Sequence, residues 1–159
     1  MAGRDESAKP LGRRAVMLGA AAAGLSAAGS RLLVEAAFAY PFEAAKMVEA
    51  FAKNPPKDGK VTIRVPEIAE NGNTVPITIL VDSPMTEADH VKTILLVAEN
   101  NPAPGVIRAD LTPLMAQASL QFRMRLSQTQ TIIAVAALSD GSFWRAEKLV
   151  KVTIGGCGG

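Results

Sequence analysis

The single cysteine of this chain, Cys157, lies two residues from the carboxyl end, inside Gly155-Gly156-Cys157-Gly158-Gly159. An ionised thiol is among the strongest nucleophiles in the amino-acid repertoire. Glycine reaches backbone conformations closed to other residues, so a pair on each side of one thiol describes a tether rather than a packed element. Inert cysteines are usually buried, and this segment carries no apolar side chain to bury itself with. The reading is a reactive sulfur on a short flexible arm. A frayed tail and an inter-chain disulfide are the other uses such an ending has. Prenylation does not fit, because two residues follow the cysteine where the signal needs three.

No sequence-near base is paired with the thiol. The one histidine, His90, is far off in the chain, and the closest cations are Lys148 and Lys151. Activating charge is therefore expected from partners. His90 reads as a surface residue opening a strand, Glu67 and Glu70 as solvated carboxylates flanking a turn, and Met115 and Met124 as core or interface fillers. Trp144, beside Phe143, is left open between core and partner face. No haem motif, Cys/His metal cluster or dinucleotide fingerprint is present, so no cofactor is expected. A formal net charge of +2 and 4% aromatic residues give no case for nucleic acid.

Residues 1–39 differ from the rest. Arg4, Lys9, Arg13 and Arg14 precede an Ala- and Gly-rich apolar run, Ala15 to Gly29, and Ala37-Phe38-Ala39 suits a signal peptidase. The Arg13-Arg14 pair before a weakly hydrophobic run resembles a twin-arginine signal. The run is too short and too interrupted for a spanning helix, so a periplasmic protein with no membrane segment is expected. From Tyr40 onward 12 of the 17 Lys and Arg and 12 of the 15 Asp and Glu remain, so the exported part is near neutral. With one cysteine it has no internal disulfide, and in an oxidising compartment that thiol is available to something else.

The arm needs a firm root. Residues 40–56 read as a short helix: Phe42, Ala45, Val48 and Phe51-Ala52 recur at helical spacing, and Asn54-Pro55-Pro56 ends it. From Lys60 the period becomes two. Seven or eight short strands follow in 57–154, with turns about every ten residues and no long helix between them. His90 to Ala98 is dense enough to be covered on both faces, and Ser139-Asp140-Gly141-Ser142 is a hairpin turn between Thr131–Leu138 and Phe143–Lys148, with Leu149–Ile154 as the last strand. The expected fold is mainly β, an immunoglobulin-like antiparallel sandwich with a short N-terminal helix and a flexible C-terminal arm, 155–159. Two glycines carry Cys157 roughly 10 Å past Ile154 at about 3.3–3.6 Å per residue.

Together these residues resemble the SoxY family, the sulfur-carrying subunit of bacterial thiosulfate oxidation. The resemblance runs through Pro66-Glu-Ile-Ala-Glu-Asn-Gly-Asn-Thr-Val-Pro76, Glu99-Asn-Asn-Pro-Ala-Pro104, Arg123-Met-Arg-Leu126 and Val152-Thr-Ile-Gly-Gly-Cys-Gly-Gly159. It implies a heterodimer with SoxZ and covalent attachment of substrate at Cys157, with no catalysis by the carrier itself. It further implies that SoxXA joins thiosulfate to the cysteine, SoxB releases sulfate, and a sulfur dehydrogenase, SoxCD, acts in some organisms. Three other classes compete: a non-covalent periplasmic assembly module whose cysteine makes an inter-chain disulfide, a cytosolic ubiquitin-like sulfur carrier, and a thiol enzyme. The export signal and the absence of a central helix oppose the second, and the lack of a sequence-near base opposes the third.

Overall fold

Side chains alternate across a strand, so a strand with one apolar face covers one core and a wholly apolar strand separates two. Both kinds occur here. The computed structural model describes residues 41–154. The segment 1–39 read as a signal and the arm 155–159, with Gly155, Gly156, Cys157, Gly158 and Gly159, lie outside the described residues. Strands β1 (Lys57–Asp58), β2 (Val61–Arg64), β3 (Ile68–Asn71), β4 (Val75–Val81), β5 (Val91–Ala98), β6 (Gly105–Asp110), β7 (Ala118–Met124), β8 (Gln130–Leu138) and β9 (Phe143–Ile154) form two sheets. The larger runs β1-β9-β8-β5-β6, with β3 also on β9; the smaller runs β2-β4-β7.

Ile77 and Ile79 from the small sheet meet Ile94, Leu96, Ile132 and Ala134 from the large one in the main core. The intervening residues of β5 and β8 point the other way: Leu95, Val97, Ile133 and Val135 pack under a helix, α1 (residues 41–51). The density of apolar residues in His90–Ala98 is explained by this double burial. The antiparallel sandwich carries two short additions that its sequence did not announce, since β1 and β3 both pair with β9 in parallel.

Three expectations on local structure change. The helix presents Ala44, Met47, Val48 and Phe51 to the sheet, while Phe42 is exposed and lies under the Lys46 ammonium at 4.2 Å. Ala44 faces inward in place of Ala45 because the stripe runs with the i, i+3, i+4, i+7 spacing of the residues that touch. Phe143–Lys148 and Leu149–Ile154 are one unbroken strand, since β8 pairs with β9 from Phe143 through Val150. Ile68–Asn71 is a strand where the sequence reads as a turn; the turn itself starts at the strand's last residue, Asn71, whose Oδ1 accepts the Asn73 N–H at 2.9 Å.

Phe51 meets Phe143 edge-to-face at 5.8 Å, and Gly105 of β6 admits Met47, whose Cε lies 2.6 Å from where a Cβ would stand. Phe51→Ala is expected to cost about 1–2 kcal/mol, less than for a fully buried phenylalanine because Phe51 is half-buried. Limited proteolysis within residues 41–56 should quicken before the sandwich unfolds in urea.

The hairpin between β8 and β9 turns on Gly141, at φ +81°. Asp140 accepts the Ser142 N–H at 2.8 Å, and hydrogen bonding from Ser142 holds its carboxyl below the ordinary 3.8. A depressed folded-state pKa gives stability that is present above the unfolded value and lost as pH falls through the folded one. An NMR titration of Asp140 should therefore find its midpoint below that of an unstructured aspartate, with the Ser142 amide shifting in step.

Candidate functional site

The described chain ends at Ile154, three residues before Cys157. What the structure contributes to the site is the root from which the thiol departs. Strand β9 overshoots its main partner: the last β8–β9 pair is Gln130 with Val150, and residues 151–154 run on beyond it. A projecting strand end with unpaired backbone groups frays. Here it is held from both sides.

On one side β3 lies parallel, with Ile68 opposite Lys151 and Asn71 opposite Ile154. Lys151 N–H donates to Glu67 O at 2.9 Å, the Thr153 hydroxyl to Glu70 O at 2.9 Å, and Gly72 N–H to Ile154 O at 2.8 Å. On the other side, where β8 has stopped, Thr129 takes over: its hydroxyl accepts the Val152 N–H at 2.9 Å. Val150 is buried and Val152 packs on the core, but Ile154 is 68% exposed. The strand thus leaves the core over its last turns of pleat while its backbone stays bonded to the final residue.

Behind Thr129 stands a polar network around Gln130, which is only 2% exposed. Its Oε1 accepts the Asn100 N–H at 2.8 Å, and its Nε2 donates to Asn101 Oδ1 at 2.9 Å and Gln128 O at 3.1 Å. Asn101 in turn donates to Arg125 O at 2.9 Å and accepts the Ser127 N–H at 3.0 Å. The Ser127 hydroxyl closes the ring on Asn100 O at 2.8 Å. Leu126 N–H donates to Gly72 O at 2.8 Å, so the backbone of Gly72 links Leu126 to Ile154. Loops 71–74, 99–104 and 125–130 are therefore tied together at the end of the sandwich where β9 finishes. Each is far from the others in sequence.

The other sequence candidates fall as follows. Glu67 and Glu70 are exposed, and it is their carbonyls, not their carboxylates, that hold β9. Glu67 lies 4.0 Å from Lys148 in an exposed ion pair, which contributes little. Its neighbours Ile68, Lys148, Leu149 and Lys151 line a shallow groove of about 360 Å³ beside β9. His90 sits at the opposite end, with Nδ1 3.1 Å from Thr86 O and its N–H on the Ser139 hydroxyl. Met124 is core and Met115 is 38% exposed. Trp144 is half-buried against the core, and its Nε1 donates to the Ser142 hydroxyl at 3.0 Å. Among the described residues no three His, Cys, Asp or Glu side chains converge as a metal site would require, and no helix is long and apolar enough to cross a membrane.

Thr129, Gln130, Asn100 and Asn101 were not singled out as a unit by the sequence. The available signal was Gln130 itself, a polar residue opening the otherwise apolar run Ile132–Leu138. A buried amide there requires partners.

A family model described as sulfur oxidation protein SoxY matches residues 47–157, and so extends through Cys157. Among solved structures, the sulfur carrier protein SoxY from Chlorobium limicola f thiosulfatophilum is 30% identical, with a TM-score of 0.58 over 69% of this chain and 96% of that one. A superoxide reductase (neelaredoxin) from Ignicoccus hospitalis is 22% identical, with a TM-score of 0.53 over 65% of this chain and 86% of that one. A putative superoxide reductase from Thermotoga maritima is 18% identical, with a TM-score of 0.52 over 64% and 89% of the two chains. These last two share the sandwich fold alone. No curated protein sequence matches significantly. The family model and the SoxY structure, on an immunoglobulin-like sandwich, define a sulfur carrier of sulfur oxidation. The chain belongs to the SoxY family.

Proposed function

We propose that this protein is a periplasmic carrier that holds thiosulfate-derived sulfur covalently on Cys157 and presents it to other proteins of the Sox system, as a heterodimer with SoxZ. The observation that carries the reading is the placement of the one thiol: it follows a strand bonded on one side to its last residue, Ile154, and on the other as far as Val152, and it is flanked by glycine pairs. A fixed root and a glycine tether let a cargo enter a narrow site while the sandwich stays outside. Covalent attachment keeps the intermediate from diffusing away between sites.

In this reading the Cys157 thiol and thiosulfate join through a new S–S bond. The thiol proton is released and two electrons pass to a haem enzyme, SoxXA. Water then cleaves the terminal S–S bond in SoxB, releasing sulfate and leaving a persulfide on the cysteine. SoxCD, where present, oxidises that remaining sulfane sulfur. The carrier contributes position, not catalysis, and the activating charges come from each partner.

Intact-mass analysis of the protein from thiosulfate-grown cells tests the proposal. Sulfane or thiosulfonate adducts confined to the Cys157 peptide are the expected result. A wholly unmodified thiol under turnover would argue against it, and a stable disulfide to another chain would favour the assembly-module reading instead.

A further inference from the structure

The outer face of the small sheet carries a charge pattern the carrier role does not use. Strands β2, β4 and β7, with sequences VTIR, VPITILV and ASLQFRM, contain no Asp or Glu at all. Arg64, Thr78 and Gln121 form one row across this face, and Pro76 and Arg123 the next. Arg125 follows just beyond the end of β7. All three arginines are exposed, and none has a carboxylate partner among the described residues.

The remaining arginines of the described chain differ. Arg108 lies 4.0 Å from Asp110, and Arg145 lies 3.5 Å from Asp58 and 3.1 Å from Glu147. The unneutralised guanidinium groups are thus gathered on one face, Arg64 at its middle and Arg123 and Arg125 toward one end. That end is the arm's. Leu126 N–H reaches Gly72 O, and Gly72 N–H reaches Ile154 O. Two backbone hydrogen bonds therefore separate the segment bearing Arg123 and Arg125 from the root of the arm, a span of about 10 Å at the usual spacing between strands.

We infer that this Arg64–Arg123–Arg125 face is the docking surface for an acidic protein rim, the carboxylate-lined mouth of an enzyme site into which Cys157 is inserted. The inference rests on the carrier reading and adds to it the chemistry of the surface its enzymes present. A tethered cargo alone gives slow encounter, because the arm must find a cleft while two whole proteins tumble. A one-signed patch beside the arm orients the encounter before the arm enters, and opposite charge raises association rates by about 10–1,000-fold where ionic strength is low. Rim charges of this kind act on the rate of association and its salt dependence more than on dissociation. An exposed arginine row also binds without shielding the thiol, because contact is made by the sheet face and not by the tether.

The test compares R64E/R123E, R64K/R123K, Q121E and C157S, each expressed as the full chain in the native host. Thiosulfate consumption and adduct occupancy on Cys157 are followed as ionic strength is raised. R64E/R123E is expected to lose about tenfold in the rate of adduct formation at low salt and to lose the salt dependence, Q121E to move the same way by less, and R64K/R123K to keep most of the rate. Melting temperatures should match the unaltered protein, since none of these side chains is buried. A normal rate in R64E/R123E and Q121E, with C157S inactive, would overturn the docking surface while leaving the carrier intact. Normal thiosulfate oxidation in C157S would remove the carrier reading and this inference with it. Saturable binding of thiosulfate or sulfate to the isolated protein, with amide shifts centred on Arg64 and Arg123, would overturn the acidic rim in favour of a small-anion site.

Discussion

Cells whose only copy carries Cys157→Ser are expected to lose carrier-dependent thiosulfate oxidation outright, with the protein exported and folded as before. Serine is nearly isosteric, but its oxygen forms no S–S bond with thiosulfate and is far less acidic than a thiol. No compensation is available within the chain, because Cys157 is the single cysteine. Stability should be unaffected, since the described core and hydrogen-bond network end at Ile154. The measurement is thiosulfate consumption together with the melting temperature of the purified variant. A Cys157→Ser strain that consumes thiosulfate at the normal rate would end the covalent-carrier reading. A variant that failed to fold would instead give the cysteine a structural part that its position does not suggest.

Gln130→Leu is expected to have the largest effect on the root. The side chain is 2% exposed and makes three hydrogen bonds, to Asn100 N, Asn101 Oδ1 and Gln128 O. Leucine fills much of the volume, so the loss is not a cavity. It is the Asn100 N–H left without its acceptor and the Asn101 amide left without one donor, each costing about 1–3 kcal/mol when desolvated. A total of about 2–4 kcal/mol follows, or roughly 10 °C in melting temperature for a domain of this size. The damage should be local. Hydrogen exchange is expected to rise in 99–104 and 125–130, and at Val152, whose N–H is held by Thr129 next door. Adduct loading on Cys157 should slow as the root loosens. Unchanged exchange at Val152, despite the loss of stability, would show that the Gln130 network and the strand end are independent.

Superoxide reductases share this sandwich fold. The same sandwich serves both, and function resides in the groups a fold presents. In the described part of this chain the groups presented at the arm's end are amides, hydroxyls, backbone carbonyls, guanidinium groups, the exposed Glu70 carboxylate and the Lys151 ammonium, with His90 at the other end.

The sandwich was legible in the amino-acid order, through the two-residue alternation of Val75–Val81 and the doubly apolar run of Val91–Ala98, and so was Cys157, because composition alone isolates one thiol among glycines. These are local properties: alternation is written in neighbours, and so is a tether. What holds the root emerges only on folding. Strand β3 carries no alternating signal strong enough to be read, and it is a strand because β9 outruns β8 and leaves backbone groups in want of partners. Phe143–Ile154 is one strand because β8 runs alongside across the Ala146-Glu147-Lys148 interruption in its apolar pattern. The helix turns Ala44 rather than Ala45 to the sheet because close packing against Leu95, Val97 and Phe143 chooses the face. The convergence of loops 71–74, 99–104 and 125–130 on the end of β9 is set by topology, since hydrogen bonds between residues tens of positions apart have no trace in either partner's neighbourhood.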